Sequence, residues 1–252
     1  CMAPRKYIEK IIDAYVRMFG SKPKQVNTPL EHGDHPELDD SKELDLDDIK
    51  KYQSMIGNLQ WVVQIGRFDI TTATMTLASF QANPCQGHLD LAKRIYGYLY
   101  KMMRHGAIRI RTEEPDYSDL PDKVYDWENS VYAGAEKLMP HHCPPALGKP
   151  VVMTTFVDAN LYHDLVNGRS VTGILHLFNK TVVDWYSKKQ ATVETATYGA
   201  EFVAARTAME QIIDLRIELR YLGVHVKGST MMFGDNESVV NSSTTPHARL
   251  HK

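Results

Sequence analysis

The chain has 252 residues, 43% of them hydrophobic, which is enough to bury one or two cores and excludes a disordered tail. Its formal net charge of −2 gives no global attraction to nucleic acid, and its cysteines, Cys1, Cys85 and Cys143, are too few and too scattered for a disulfide framework. No apolar run resembles a signal peptide or a membrane span, so an intracellular, reduced setting without membrane partners is expected.

From Pro4 to Phe19, the residues Tyr7, Ile8, Ile11, Ile12, Tyr15 and Phe19 recur at helical spacing and predict an amphipathic helix ending near Gly20. The stretch that follows holds Pro23, Pro29, Gly33 and Pro36 and reads as a loop or linker. Over residues 31–48 it is acidic, with Lys42 as its single cation. Residues 47–64, 69–82 and 86–104 read as three helices: Ile49, Tyr52, Ile56 and Leu59 share one face, and Leu89, Ala92, Ile95, Leu99 and Met103 another. Lys93, Arg94, Lys101, Arg104, Arg109 and Arg111 make residues 89–111 basic, which suits either a phosphate-tracking unit or a solvated helix face. Ala107 to Arg111 alternates like a short strand. Residues 113–150, with Pro115, Pro121, Pro140, Pro144 and Pro145, break every period, and the domain boundary is expected there.

Beyond it, strands at 151–158, 172–178 and 181–187 form an antiparallel meander, reversing at Asn167-Gly168 and at Asn179-Lys180. A helix from 196 to 222 crosses over to a strand at 230–234, and a second helix begins near Asn236. Three strands, helix, strand, helix is an α/β order.

Three acids stand out in this half. Asp158 ends the apolar run from Val151, and Asp235 ends the run from Met231. Glu201 lies on the apolar stripe formed with Ala204, Ala205, Ala208, Ile212, Leu215, Leu219 and Leu222. An ionised carboxylate on such a stripe is costly unless it is paired or holds a cation. Acids delivered to the carboxyl ends of strands in an α/β sheet can bind a divalent metal there. Ordinary readings stand beside this one: Asp235 would serve as a helix N-cap, and Glu201 could sit partly solvated near a helix start capped by Thr195 or Thr197. A separate set, Cys85, His88, His141, His142 and Cys143, offers ligands for zinc at a spacing that matches no finger or ribbon.

Five blocks now carry a resemblance: Phe156-Val157-Asp158-Ala159-Asn160; Gly168-Arg169-Ser170-Val171-Thr172-Gly173; Trp185-Tyr186-Ser187-Lys188-Lys189-Gln190; Ala200-Glu201-Phe202-Val203-Ala204-Ala205; and Gly234-Asp235-Asn236-Glu237-Ser238. In this order they resemble the ribonuclease H region of copia-type long-terminal-repeat retrotransposons. Upstream, Tyr52 to Leu59, Arg67 to Ile70, and His88 to Leu99 resemble the end of the reverse transcriptase in the same Pol polyprotein.

The resemblance implies a ribonuclease H-like mixed α/β sheet preceded by a mainly helical thumb/connection-like segment. Residues 1–48 would be a helix and acidic linker from the end of the reverse transcriptase, 49–112 the helical segment, 113–150 a Pro-rich linker and 151–252 the ribonuclease H-like domain. It implies metal-dependent endonucleolytic hydrolysis of the RNA strand of an RNA/DNA hybrid during reverse transcription. Asp158, Glu201 and Asp235 would be both catalytic and metal-binding, holding two Mg²⁺ ions, or Mn²⁺, roughly 4 Å apart. Ser170, Thr172, Asn236, Ser238, Lys188 and Lys189 would contact the hybrid, with hydroxyls and amides reading successive 2′-hydroxyls. The implied partners are the hybrid and the rest of the Pol polyprotein, namely reverse transcriptase fingers and palm, and integrase. The implied location is a cytoplasmic virus-like particle or the nucleus.

Departures from the family pattern are specific. Asn160 and Gly199 stand where acids are common, and the chain reaches Lys252 before the last strand and helix and a fourth acidic or histidine element, so a C-terminally truncated domain is expected. The Asp pairs Asp39-Asp40 and Asp47-Asp48 lack the preceding aromatic of a polymerase site, so polymerase activity is not expected. The alternative to a nuclease is an inactive retroelement fragment or a nucleic-acid-binding scaffold.

Overall fold

A computed structural model describes residues 4–104, 108–120, 126, 128–131, 133–134 and 142–246. The chain divides into two compact units, residues 1–110 with 164–168 and residues 111–163 with 169–252.

In the first unit the predicted amphipathic helix is α1, Arg5–Phe19, burying Ile8, Ile11, Ile12 and Tyr15. Gly20 ends it in a left-handed conformation with φ 77°, which a residue without a Cβ adopts at no steric cost. Helix α2, Leu46–Gln64, buries Tyr52, Met55, Ile56, Leu59, Val62 and Val63. Its cap is Asp45, whose carboxylate accepts from the N–H groups of Asp47 and Asp48. A 3-10 turn at Phe68–Ile70 leads into α3, Thr71–Ala78, and α4 runs from Gln86 to Lys101. Arg67 is fully buried; its guanidinium donates to both carboxylate oxygens of Asp69, at 2.8 and 2.7 Å. That pairing and the hydrogen bonds it completes make the buried charge tolerable.

The acidic stretch is an ordered strap over the start of α4. The Gln86 N–H donates to the Lys42 carbonyl at 2.9 Å, Gly87 N–H to Ser41 Oγ at 2.8 Å and His88 N–H to Asp39 Oδ2 at 3.1 Å. These are orphan donors of the first turn, so the strap satisfies groups that α4 cannot satisfy itself. The basic residues of α4 are likewise engaged within the unit. Lys93 pairs with Asp90 at 3.1 Å and lies over the Phe19 ring, Arg94 pairs with Glu31 at 2.8 Å, and Lys101 donates to Asn27. Of the short strand expected at 107–111, Ile108 is a bridge residue, 109–111 are not extended into a strand, and Ala107 lies outside the described residues.

In the second unit the meander forms as β1, Met153–Asp164, β2, Arg169–Phe178, and β3, Thr181–Lys189. Gly168 at φ 64° and Asn179 at φ 53° supply the left-handed residues of its two reversals. Helix α5, Thr197–Tyr221, leads to β4, Met231–Phe233, and then α6, Glu237–Thr244. The sheet order is β3-β2-β1-β4, with β2 and β3 antiparallel and β4 parallel to β1, giving a mixed α/β architecture. Val157 and Ile174 from the sheet pack on Ala204 and Ala208 of α5. Of the helical stripe, Glu201, Ala204, Ala205, Ala208, Ile212 and Leu219 are buried as its spacing predicts and Leu215 is half-buried, whereas Leu222 lies past the helix end and is 68% exposed. Residues 111–117, part of the expected linker stretch and its approach, belong to this unit: Arg111 N–H donates to Thr181 Oγ1 at 2.7 Å, and Tyr117 shares a hydrogen bond with Thr154.

Candidate metal centre

The register of β1 with β4 sets two of the acids together. Phe156 pairs with Phe233 in a parallel ladder, so Asp158 and Asp235, each two positions further on, come side by side where β4 ends. The strand expected to stop at Asp158 instead runs on to Asp164, so Asp158 is a mid-strand residue of β1 beyond the reach of β4. The third comes from above. Ala204 and Ala208 pack their small side chains on Val157 and Ile174 of the sheet, and Glu201, one turn before Ala204 on the same buried face, is brought down beside Asp158 and the end of β4. The carboxylate oxygens of Asp158, Glu201 and Asp235 then lie within 4.8 Å of one another.

Their environments differ. Asp158 and Asp235 are exposed, while Glu201 is only 8% exposed. Burial pushes the Glu201 carboxyl up to about 7, with the negative charges of Asp158 and Asp235 adding to the rise and a hydrogen bond from the Ala159 N–H opposing it. Three hard oxygen donors whose mutual repulsion disfavours full ionisation form a donor set suited to a divalent cation such as Mg²⁺ or Mn²⁺.

The ordinary readings of these acids do not hold. The N-cap of α6 is Asn236, whose side chain accepts from Val239 N–H at 3.1 Å, and Asp235 is left outside the cap. The N-cap of α5 is Ala196, with no side-chain cap bond from Thr195 or Thr197.

The expected hybrid contacts separate into two groups. Ser170 and Thr172 are 0% and 2% exposed, because the alternation of β2 turns them, with Ile174 and His176, toward α5. They are not available to a duplex. Thr172 Oγ1 instead accepts from Gln190 Nε2 at 3.0 Å, and the same amide donates to the Ala200 carbonyl at 2.8 Å, tying β2 to the first turn of α5. Asn236 is half-buried and occupied as a cap. Ser238 and Lys188 are exposed, and Lys189 is half-buried.

Gln190 was visible in the sequence only as the end of a motif. The clue to its role was a long polar side chain following a strand, without a charge to keep it in water. A second polar link joins the two helices: Tyr198 on α5 shares a hydrogen bond with Ser242 on α6 at 3.0 Å. The tyrosine's place one turn ahead of Phe202, and so beside Glu201, was its only signal.

The zinc reading is answered differently. Asp39, Cys85 and His88 do come together in the first unit, but their atoms serve as a helix cap. His88 Nδ1 faces the Cys85 N–H at 2.9 Å and Nε2 the Pro36 carbonyl at 2.8 Å, so both ring nitrogens are engaged. His141 lies outside the described residues, and His142 and Cys143 belong to the second unit.

No family model matches the chain, and no solved structure matches it. Similarity to curated proteins extends over nearly its whole length. The chain is 26% identical over 258 residues to the retrovirus-related Pol polyprotein from transposon TNT 1-94 of Nicotiana tabacum, covering 98% of this chain and 16% of that protein. It is 22% identical over 251 residues to the retrovirus-related Pol polyprotein from transposon RE1 of Arabidopsis thaliana, covering 99% of this chain and 14% of that one. It is also 25% identical over 169 residues to the secreted RxLR effector protein 161 of Plasmopara viticola, covering 67% of this chain and 94% of the effector. The chain thus spans less than a fifth of the length of the two Pol polyproteins. Among the described residues no helix is long and apolar enough to cross a membrane.

Proposed function

We propose that this chain, a relative of the Pol polyproteins of Ty/copia-like retrotransposons, carries their ribonuclease H: a metal-dependent endonuclease that cuts the RNA strand of an RNA/DNA hybrid. The reading assigns the second unit to a ribonuclease H-like sheet and the helical first unit to the end of the reverse transcriptase. The observation that carries it is the convergence of Asp158, Glu201 and Asp235 within 4.8 Å.

In this reading the three carboxylates hold two divalent ions. When bound, such ions would activate a water for attack on phosphorus and stabilise the negative charge that develops on the leaving 3′ oxygen. The protein's own contribution is placement. Asp158, on β1 just past the end of the β4 ladder, lies within reach of both other acids and faces solvent, where a phosphodiester can reach it. Glu201 is oriented by the Ala159 N–H and shielded from water. Asp235 is kept out of the α6 cap by Asn236. Lys188 and Lys189 at the end of β3, and Ser238 at the start of α6, are the residues assigned to the hybrid backbone. The partners would be the hybrid and the remaining Pol domains, in a virus-like particle or the nucleus.

The test is cleavage of a labelled RNA/DNA hybrid, with Mg²⁺ and with Mn²⁺, by the chain and by Asp158→Asn. Cleavage of the RNA strand by the first and not the second is expected. Cleavage that survives Asp158→Asn, or no cleavage with either metal, would sink the reading.

A further inference from the structure

The two acids Glu201 and Asp235 belong to different elements: the β1–β4 ladder and the packing of α5 on the sheet bring them together, and the docking of α6 on α5 constrains the turn that carries Asp235 from its far side. Packing alone does so weakly. Helix α6 has eight residues and buries only Val239. Between α5, β4 and α6 there is an apolar cavity of about 60 Å³, lined by Val157, Glu201, Ala205, Met232, Val239 and Val240 among others. A void leaves its lining without partner atoms on one side, so dispersion holds this interface less firmly than a filled one. Across the same interface runs the hydrogen bond of Tyr198 to Ser242 Oγ at 3.0 Å. The tyrosine ring is stacked on Phe202, one turn along α5, with centroids 5.9 Å apart, so its hydroxyl is presented from a fixed platform. Tyr198 and Phe202 flank Glu201 in sequence on the helix that carries it, and Ser242 lies on the helix that follows directly from Asp235 and its cap.

We infer that Tyr198 is a positioning residue for the metal centre: its hydroxyl, clasped to Ser242, holds α6 at the distance from α5 that lets Asp235 and Glu201 share a cation. The inference rests on the assignment of Asp158, Glu201 and Asp235 as the metal-binding acids. Neither Tyr198 nor Ser242 is a ligand. The clasp acts by limiting the spread of Asp235 positions, and its loss weakens metal binding without removing a donor.

The test is Mn²⁺ affinity of the full chain, measured by titration calorimetry and by the free-Mn²⁺ electron paramagnetic resonance signal, for wild type, Tyr198→Phe, Ser242→Ala and the double variant. Tyr198→Phe keeps the ring and its stack on Phe202 and removes only the hydroxyl. Loss of one hydrogen bond corresponds to roughly three- to tenfold weaker binding. Each single variant is expected to show that loss, and the double variant no more than either single. Unchanged affinity in Tyr198→Phe, or losses that multiply in the double variant, would overturn the clasp while leaving the metal-site assignment intact. Ser242→Thr, which retains a hydroxyl, is expected to recover most of the affinity. A wild-type chain that binds Mn²⁺ no better than Asp158→Asn would overturn both the clasp and the assignment beneath it.

Discussion

Asn236 takes the helix cap that its neighbour Asp235 would otherwise occupy. Its side chain accepts from Val239 N–H at 3.1 Å, and the adjacent carboxylate is thereby left to face Glu201 and Asp158. Two consecutive residues, both good caps by type, thus divide two tasks between them.

Removing that division has two effects. Asn236→Ala is expected to cost about 1 kcal/mol of stability, the usual value for a lost cap. It also lets Asp235 turn into the vacant cap, so Mn²⁺ affinity falls. Asn236→Ser, which caps as well, is expected to preserve both. Thermal unfolding with and without Mn²⁺ separates the effects: equal behaviour of the Ala and Ser variants would rule the division of labour out.

The acidity of the unit follows from two oppositely shifted groups. Glu201 is raised from 4.5 to about 7, so between those values the folded state holds a proton that the unfolded state releases. Its contribution is fully present below about pH 4.5 and is lost as the pH rises through 7. His176 is lowered from 6.5, first by burial, while it hydrogen-bonds Thr155 at 2.8 Å and Gln211 at 3.1 Å. Its contribution is present above 6.5 and is lost as the pH falls from there toward its folded value. Melting curves in chelator should therefore decline on the neutral side, and Glu201→Gln or saturating Mg²⁺ should flatten that decline. His176→Gln should act on the acid side alone. A neutral-side slope that ignores both Mg²⁺ and Glu201→Gln would contradict the assignment.

Two helical glycines make a sharper contrast. A Cβ on Gly97 of α4 would stand 1.9 Å from the Lys24 carbonyl oxygen, which is backbone and cannot move alone. A Cβ on Gly199 of α5 would meet the end of the Glu194 side chain at 2.5 Å, which can swing away. Gly97→Ala is expected to destabilise by about 1–3 kcal/mol. Gly199→Ala is expected to be neutral, or stabilising by up to about 1 kcal/mol through helix propensity. Urea unfolding reads both, and the reverse ranking would refute the close approach of residue 24 to α4.

The six residues assigned to the hybrid by resemblance should divide by burial. Gln190→Ala breaks the link between Thr172 and the first turn of α5, and is expected to cost about 1–3 kcal/mol, as is usual for a buried partner left unsatisfied. Thr172→Val should likewise act on stability and leave hybrid affinity per folded molecule unchanged. Lys188→Ala should do the opposite, lowering the slope of log affinity against log salt by about 1 with no change in melting. Salt-dependent binding of the hybrid to each variant, in Ca²⁺ to suppress cleavage, decides between them.

How much of this was readable beforehand depended on whether the signal was local. The periodicity of α1, with Ile8, Ile11 and Ile12, and the turn residues Gly168 and Asn179 report local geometry, and those elements appear where the pattern puts them. The burial of Ser170 and Thr172 was legible too, since they share the period-two face of Ile174 and His176, but their polarity suggested the surface. The acidic stretch misled for a related reason. Its composition says loop, and composition does not disclose that Asp39, Ser41 and the Lys42 carbonyl each meet an amide of α4. Charge runs failed in the same way, because Arg94 and Lys101 find partners far along the chain in residues 27–31.

The parallel ladder of Thr154 to Phe156 with Met231 to Phe233 also dictates an order of events. The β1–β2–β3 meander joins neighbours in sequence and can close early, whereas a parallel pair must wait for its crossover, here all of α5. Asp158 is the first of the three acids to be made; Glu201 joins it with α5, and Asp235 only when β4 has been synthesised and docked. On a growing chain the three-acid cluster is therefore completed only after β4, and a chain arrested before β4 would hold a finished meander with the cluster one acid short.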